Sequence, residues 1–379
     1  MEVLSAELVQ RLARWRGGNG HGVITLYLNV DGRENIRPED YQAHLDALIR
    51  EAVAKDRRPE VSDTLARVSD FVTNQFERQN FRGLAVFADA QDLWEVVALP
   101  VPVNDHLVVN MTPHVRQLET ILDEYESTGV LMTDRQRARL MVIELGRVVE
   151  REEVIDPLPR HDDDKGDWEK DHVKTHAAAV AQQHFRHAAQ SMFDLYQRHH
   201  FNHLVLCVAD ELSGDIKRQL HDYLAQRVVG CTSTPLTASD DEVIAMAHEL
   251  TQAAERRREG EYVDRLRAGL STPGPSGKSQ ADSSAVAGLD PTLEAIYEKR
   301  VETLLVSHGF VAEGWRCTDC NYIATVGRKC RMCGSSMTLV EDVIEEAVED
   351  ALGQKCRVEF CADNADLDVM GRIGALLRF

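Results

Sequence analysis

The stretch from Arg139 to Asp210 constrains the fold more than any other part of the chain. It opens with RLMVIELGRVVEREEV, in which Leu140, Val142, Ile143 and Leu145 precede Gly146 and Val148, Val149 and Val154 follow it. Short β-rich apolar runs on either side of a glycine read as a strand pair with its turn there. The next segment, IDPLPRHDDDKGDWEKDH, is polar and punctuated by Pro157, Pro159 and Gly166, so it cannot form core. In VKTHAAAVAQQHFRHAAQSMFDLYQR, the apolar residues Ala181, Phe185, Ala188, Met192 and Leu195 step by three and four, which predicts an amphipathic helix. Leu204 to Val208 is then a short apolar strand. A long charged loop held between two strands and a helix presents its tip.

Upstream, VITLYLNV (Val23 to Val30) reads as a strand, Pro38 to Ala54 and Glu60 to Arg78 as helices, and Gly83 to Ala88 and Leu93 to Leu99 as strands. Pro100 and Pro102 end the last of these. Downstream of the opening stretch come a helix at Gly214 to Gln226, a short strand at Arg227 to Cys231 and a long helix at Ser239 to Leu270. The segment STPGPSGKSQADSS, residues 271–284, has the composition of a linker. The last part shows a helix at Pro291 to Lys299, a strand at Thr303 to Ser307, a cysteine-bearing insertion, a helix near Glu341 to Leu352 and a strand at Arg357 to Cys361. This is an α/β chain in three expected domains, 1–130, 131–270 with a loop at 156–172, and 285–379 with a ribbon at 315–335. At 379 residues each domain has enough chain for its own core.

No apolar run reaches the length of a membrane span, and MEVLSAELVQRLARW reads as an amphipathic helix and not a signal peptide, so a cytoplasmic location without membrane contact is expected. The formal charge of -20 argues against nonspecific nucleic-acid binding through the whole surface. It leaves room for local basic patches such as the turn Lys55, Arg57 and Arg58, which reads either as a solvated turn or as an RNA contact.

Four of the eight cysteines have metal spacing: Cys317-x2-Cys320-x9-Cys330-x2-Cys333. Two such pairs on two turns put four thiolates at the corners of a tetrahedron, which predicts a closed, structural zinc site. Arg316, Arg328, Lys329 and Arg331 are expected to offset its negative charge. The remaining Cys207, Cys231, Cys356 and Cys361 lie in apolar strand contexts and read as core thiols. Histidines crowd the middle region, and His172 and His176 stand four apart, but no third ligand is evident. The carboxylates Asp162, Asp163, Asp164, Asp167, Glu169 and Asp171 read as a solvated run.

In segment order the chain resembles the archaeo-eukaryotic class 1 peptide chain release factors, in their divergent bacterial branch that includes the Balon-type ribosome hibernation factors. The resemblance rests on VITLYLNV and RGLAVFAD, on LMVIELGRVV through NHLVLCVAD, and on LEAIYEKRVETLLVS with the terminal EFCADNADLDVMGRIGALLRF. The paired CxxC motifs are similar to those of the zinc-bearing third domain of archaeal members. The resemblance implies an RNase H-like middle domain and an L7Ae-like α/β sandwich carrying an inserted zinc ribbon. It also implies ribosomal RNA of the A site as partner, a translational GTPase of the EF-Tu type, and no DNA. The family's Gly-Gly-Gln loop, whose glutamine positions a water against the ester, falls near Lys165, Gly166, Trp168, Glu169 and Lys170, and Gly-Gly-Gln is absent there. Lys55-Asp56-Arg57-Arg58 stands near the place of the stop-codon-reading NIKS turn, and the YxCxxxF partner has no counterpart. No residue is therefore assigned as catalytic. The expected role is that of an A-site occupant in hibernation or rescue, with Lys55, Arg57, Arg58, His184, Arg186 and His187 as candidate RNA contacts. The alternatives are a peptidyl-tRNA hydrolase with a divergent loop and a zinc-ribbon adaptor.

Overall fold

The computed structural model describes residues 2–15, 22–156, 167–271, 284–362 and 364–378, with the side chains of 167–178 and 271 outside the description. It has two compact units: residues 1–123 with 256–379, and residues 124–255.

The N-terminal part of the first unit runs α1 (Ala6–Ala13), β1 (Val23–Asn29), α2 (Pro38–Lys55), α3 (Pro59–Asp70), β2 (Gly83–Ala88), β3 (Trp94–Leu99), β4 (His106–Asn110) and α4 (Arg116–Glu124). A proline opens both α2 and α3, where its missing N–H costs nothing. The antiparallel sheet has the order β3-β2-β1-β4. Leu26, Leu28, Leu84 and Val86 from the strands pack on Tyr41, Leu45, Val68 and Val72 from the helices and the π turn that prolongs α3.

The second unit holds β5 (Thr128–Thr133), β6 (Arg137–Glu144), β7 (Arg147–Ile155), α5 (Asp167–His199), β8 (His203–Cys207), α6 (Asp210–Lys217), α7 (Asp222–Ala225), β9 (Val228–Thr232) and the start of α8 (Asp240–Ser271). Its sheet has the order β7-β6-β5-β8-β9, with β5, β8 and β9 parallel and the β5-β6-β7 meander antiparallel. Leu145 and Gly146, both at positive φ (46° and 72°), make the two-residue turn between β6 and β7. Successive residues of β5 serve opposite faces: Leu131 packs with Phe185, Met192 and Leu195 of α5, while Val130 and Met132 pack with Val243 and Ala247 of α8. A sheet buried on both faces is what a run such as LVLC requires.

Two sequence boundaries are corrected. Residue 130 lies inside β5, whose partners 138–143 and 203–207 all belong to the second unit. The expected helix from Gly214 to Gln226 is two helices, because the chain turns between Lys217 and Asp222 and His221 caps the second. The expected linker 271–284 falls almost wholly outside the described residues.

The chain returns to the first unit with β10 (Ala285–Ala287), α9 (Leu289–Tyr297), β11 (Val301–Ser307), β12 (Gly314–Cys317), β13 (Ile323–Ala324), β14 (Met337–Val340), α10 (Val343–Gly353), β15 (Arg357–Cys361), α11 (Ala365–Val369) and β16 (Ile373–Leu377). One sheet has the order β10-β16-β11-β15, and a small antiparallel ribbon has the order β13-β12-β14. Within this unit α10 meets the N-terminal part through charge. The Arg116 amide donates to Glu345 at 2.9 Å, its guanidinium to Asp342 at 3.0 Å, and the Asn110 amide to Glu346 at 2.6 Å. Burial pushes Glu345 up to about 7 although Arg116 opposes it. Among the described residues, no helix is long and apolar enough to cross a membrane.

Candidate functional site

Three places carry the residues singled out by the sequence, and each is described within its own unit. The first is the root of the charged loop. Lys165 and Gly166, with His161 and Asp162 to Asp164, lie outside the described residues. The helix α5 begins at Asp167, so Trp168, Glu169 and Lys170 occupy its first turn and not a loop reaching residue 172. Just before the gap, Asp156 places one carboxylate oxygen 2.8 Å from His184 Nδ1 and 3.1 Å from His187 Nδ1. The other ring nitrogen of His184 lies 3.2 Å from the Thr133 hydroxyl. The His184 hydrogen bond, followed by that of His187, holds Asp156 below the usual carboxylate range against the opposing effect of burial.

Thr133, His184 and Asp156 thus form a hydroxyl–imidazole–carboxylate chain, the order found in nucleophilic triads. Burial decides its role. His184 is fully enclosed, and the Thr133 hydroxyl also points to the carbonyls of Asp134 and Arg137 at 3.0 and 3.2 Å. The chain pins the loop root to β5 and α5. As a candidate RNA contact His184 is therefore corrected: it offers no surface, whereas Arg186 and His187 are exposed. Gln182, of the neighbouring glutamine pair, accepts from Gln219 at 3.3 Å.

The second place is the basic turn between α2 and α3. Lys55 lies 3.2 Å from both Glu51 and Glu341, and Arg58 clasps Asp56 two residues back. Two of the three cations are committed within the protein. Arg57 is exposed and makes none of the ion pairs found among the described residues.

The third is the cysteine cluster on the small ribbon. The four Sγ atoms lie within 4.8 Å of one another, with Cys317–Cys333 at 3.4 Å and Cys320–Cys330 at 3.5 Å. A tetrahedron of sulfurs about 2.3 Å from a central ion has edges of about 3.8 Å, so these two edges are within a few tenths of an ångström of metal-binding size. Both pairs are built alike. The Asn321 amide donates to the Cys317 carbonyl at 3.2 Å, and the Gly334 amide to the Cys330 carbonyl at 2.9 Å. The residue after each pair is left-handed, Asn321 at φ 59° and Gly334 at φ 80°. The Met332 amide also points at Cys330 Sγ, 3.4 Å away. The Ser335 hydroxyl and amide bring Cys333 down to about 6, and desolvation pushes Cys320 up to about 12. Four soft donors with no carboxylate among them fit a closed site for a thiophilic ion.

The basic residues around the cage are distributed differently from the sequence expectation. Arg316 is buried and pairs with Glu346 and Asp350 of α10, so its charge ties the ribbon to that helix. Arg328 and Arg331 lie over the rings of Trp315 and Tyr322.

Sequence reasoning missed one further cluster. His203, at the start of β8, has Nε2 2.6 Å from Glu126 and 2.8 Å from Glu255. Burial would lower its pKa, but hydrogen bonds and charge from the two carboxylates hold it up at about 9. No motif spacing joins residues 126, 203 and 255. Only the parallel pairing of Thr128 with His203 brings the first two together.

Residues 113–252 match the sequence model of bacterial archaeo-eukaryotic release factor family 10. No curated protein matches the sequence. Several solved structures are similar. The archaeal translation termination factor aRF1 is 14% identical over 100% of this chain and 99% of that one, with a TM-score of 0.25. Archaeal Pelota, from a model of the ribosome-bound factor with ABCE1, is 12% identical over 100% and 95%, with a TM-score of 0.43. The translation termination-like factor Dom34 of S. cerevisiae is 10% identical over 83% and 78%, with a TM-score of 0.39. These likenesses are loose, and the release-factor-type match of the sequence is confined to residues 113–252.

Proposed function

We propose, from a chain whose residues 113–252 are of the bacterial archaeo-eukaryotic release factor class, a translation factor that occupies the ribosomal A site without releasing peptide. One observation carries this reading: no Gly-Gly-Gln occurs anywhere in the sequence. Without two consecutive glycines in the sequence just ahead of α5, the chain there lacks the left-handed freedom that a tight tip demands, and without the glutamine there is no side-chain amide to hold the water. The nearest equivalents, Trp168, Glu169 and Lys170, sit in the first turn of α5. We further propose a middle domain of RNase H-like type, a third domain of L7Ae-like type and a cytoplasmic role in hibernation or rescue, of the Balon type, with a GTPase of the EF-Tu type as delivery partner. Zinc is the proposed ion for Cys317, Cys320, Cys330 and Cys333. Held by four sulfurs, it supplies cross-linking of the two turns and no open position for a substrate.

The test is a pair of measurements on purified chain and ribosomes carrying peptidyl-tRNA. Co-sedimentation without release of peptide is the expected outcome. Release that disappears in Glu169→Ala or Lys170→Ala would establish the second reading, a hydrolase with a divergent loop. Failure to co-sediment at low salt would leave the adaptor reading.

A further inference from the structure

We infer that the surface where α5 ends and α7 begins is a stacking platform for an unpaired RNA base. Three rings follow one another nearly parallel there. Phe193 and His221 have centroids 4.2 Å apart at 18°, and His221 and Tyr223 5.3 Å apart at 3°. The last ring is open: Tyr223 is 57% exposed. The column is held in place from both sides. His221 Nδ1 accepts from the Tyr223 amide at 3.3 Å, which fixes the imidazole. Arg227 donates to the Tyr223 carbonyl at 2.7 Å while its guanidinium lies 4.6 Å from the Tyr196 ring centroid. A planar cation is thereby kept against Tyr196 and tied to the backbone of the residue that carries the open ring.

Phe193 packs its inner side against the core that holds Leu195 and Leu224, so the column is anchored at that end, while His221 and Tyr223 are exposed. A base fits the platform better than a protein does. Tyr223 is the one large hydrophobic residue exposed on α6 or α7 among the described residues, and Asp222, Gln226 and Lys217 around it are exposed and polar. A protein partner needs a contiguous apolar patch of several hundred square ångströms. A base needs one ring face and gains from a neighbouring guanidinium. Asp222 partly offsets Arg227, so stacking supplies most of the attraction and the salt dependence is shallow.

This goes beyond A-site occupancy and stands or falls separately. The test uses the full chain and a fluorescein-labelled single-stranded oligoadenylate, with a duplex of equal length as control. Binding of the single strand in preference to the duplex is expected. Tyr223→Ala should weaken it about tenfold, while Tyr223→Phe keeps it and both variants keep the wild-type melting temperature. A 4-thiouridine-bearing strand should cross-link to the peptide that carries His221 and Tyr223. Equal binding by wild type and Tyr223→Ala, or no binding of the single strand by the wild type, overturns the inference. The Tyr223 pair is decisive because that side chain points outward.

Discussion

His203 puts a proton where the second unit needs a cation. Two carboxylates face one ring nitrogen at 2.6 and 2.8 Å, and the imidazole is charged up to about pH 9. A group raised from 6.5 to about 9 contributes stability that is complete below pH 6.5 and is lost as the pH climbs through 9. The expected loss across that window is roughly 3 kcal/mol, read by urea unfolding at successive pH values. His203→Gln should flatten the profile there. Glu119 and Glu345 of the first unit, each pushed up to about 7 by burial, act in an earlier window, from about 4.5 upward through 7. None of this could be read from the sequence, because solvent exclusion and convergence of residues 126, 203 and 255 are properties of the packed state. The four cysteines are the opposite case. Their spacing anticipates the cluster, since two short turns dictate the geometry locally.

Among the elements, β2 and β15 were legible to the residue and the buried face of α5 to the side chain, because apolar period and flanking breakers agree there. The strands β4 and β5 and the helix α4 escaped. HLVVN and TGVLMT are too short for a period to stand out. In β5 the glycine is a packing requirement. A Cβ on Gly129 would lie 2.4 Å from Met192 Cε and 2.7 Å from the Phe201 ring, so these two side chains already fill the space that a methyl group would need. Gly129→Ala should destabilise the second unit by about 1–3 kcal/mol, seen as a lower midpoint in urea with unchanged slope. On the ribbon, Cys330→Ser should abolish stoichiometric metal retention, measured by elemental analysis, and lower the melting temperature of the protein as prepared. A strong chelator should have the same effect on the wild type. Retention of one ion by Cys330→Ser would remove the tetrathiolate assignment.

For the whole molecule, the negative net charge of -20 makes any RNA contact a matter of single exposed cations. Lys55 and Arg58 face carboxylates of this chain, so the sequence reading of three equivalent contacts narrows to Arg57. Arg57→Ala should weaken ribosome co-sedimentation and reduce its salt slope by about one, with Lys55→Ala and Arg58→Ala changing it little. Equal effects from all three would show that the internal ion pairs open on binding. The likeness over residues 113–252 agrees with the segment order, while the division of the chain was not legible, because the first unit is assembled from both of its ends.

That arrangement bears on how the protein is made. Asn110 and Arg116 leave the synthesising ribosome more than two hundred residues before Asp342, Glu345 and Glu346, the carboxylates that receive them. The sheet of residues 124–255 is complete while those donors still wait. The nascent chain must therefore carry an unfinished N-terminal face through most of its own translation, and the final third, cysteine ribbon included, closes it.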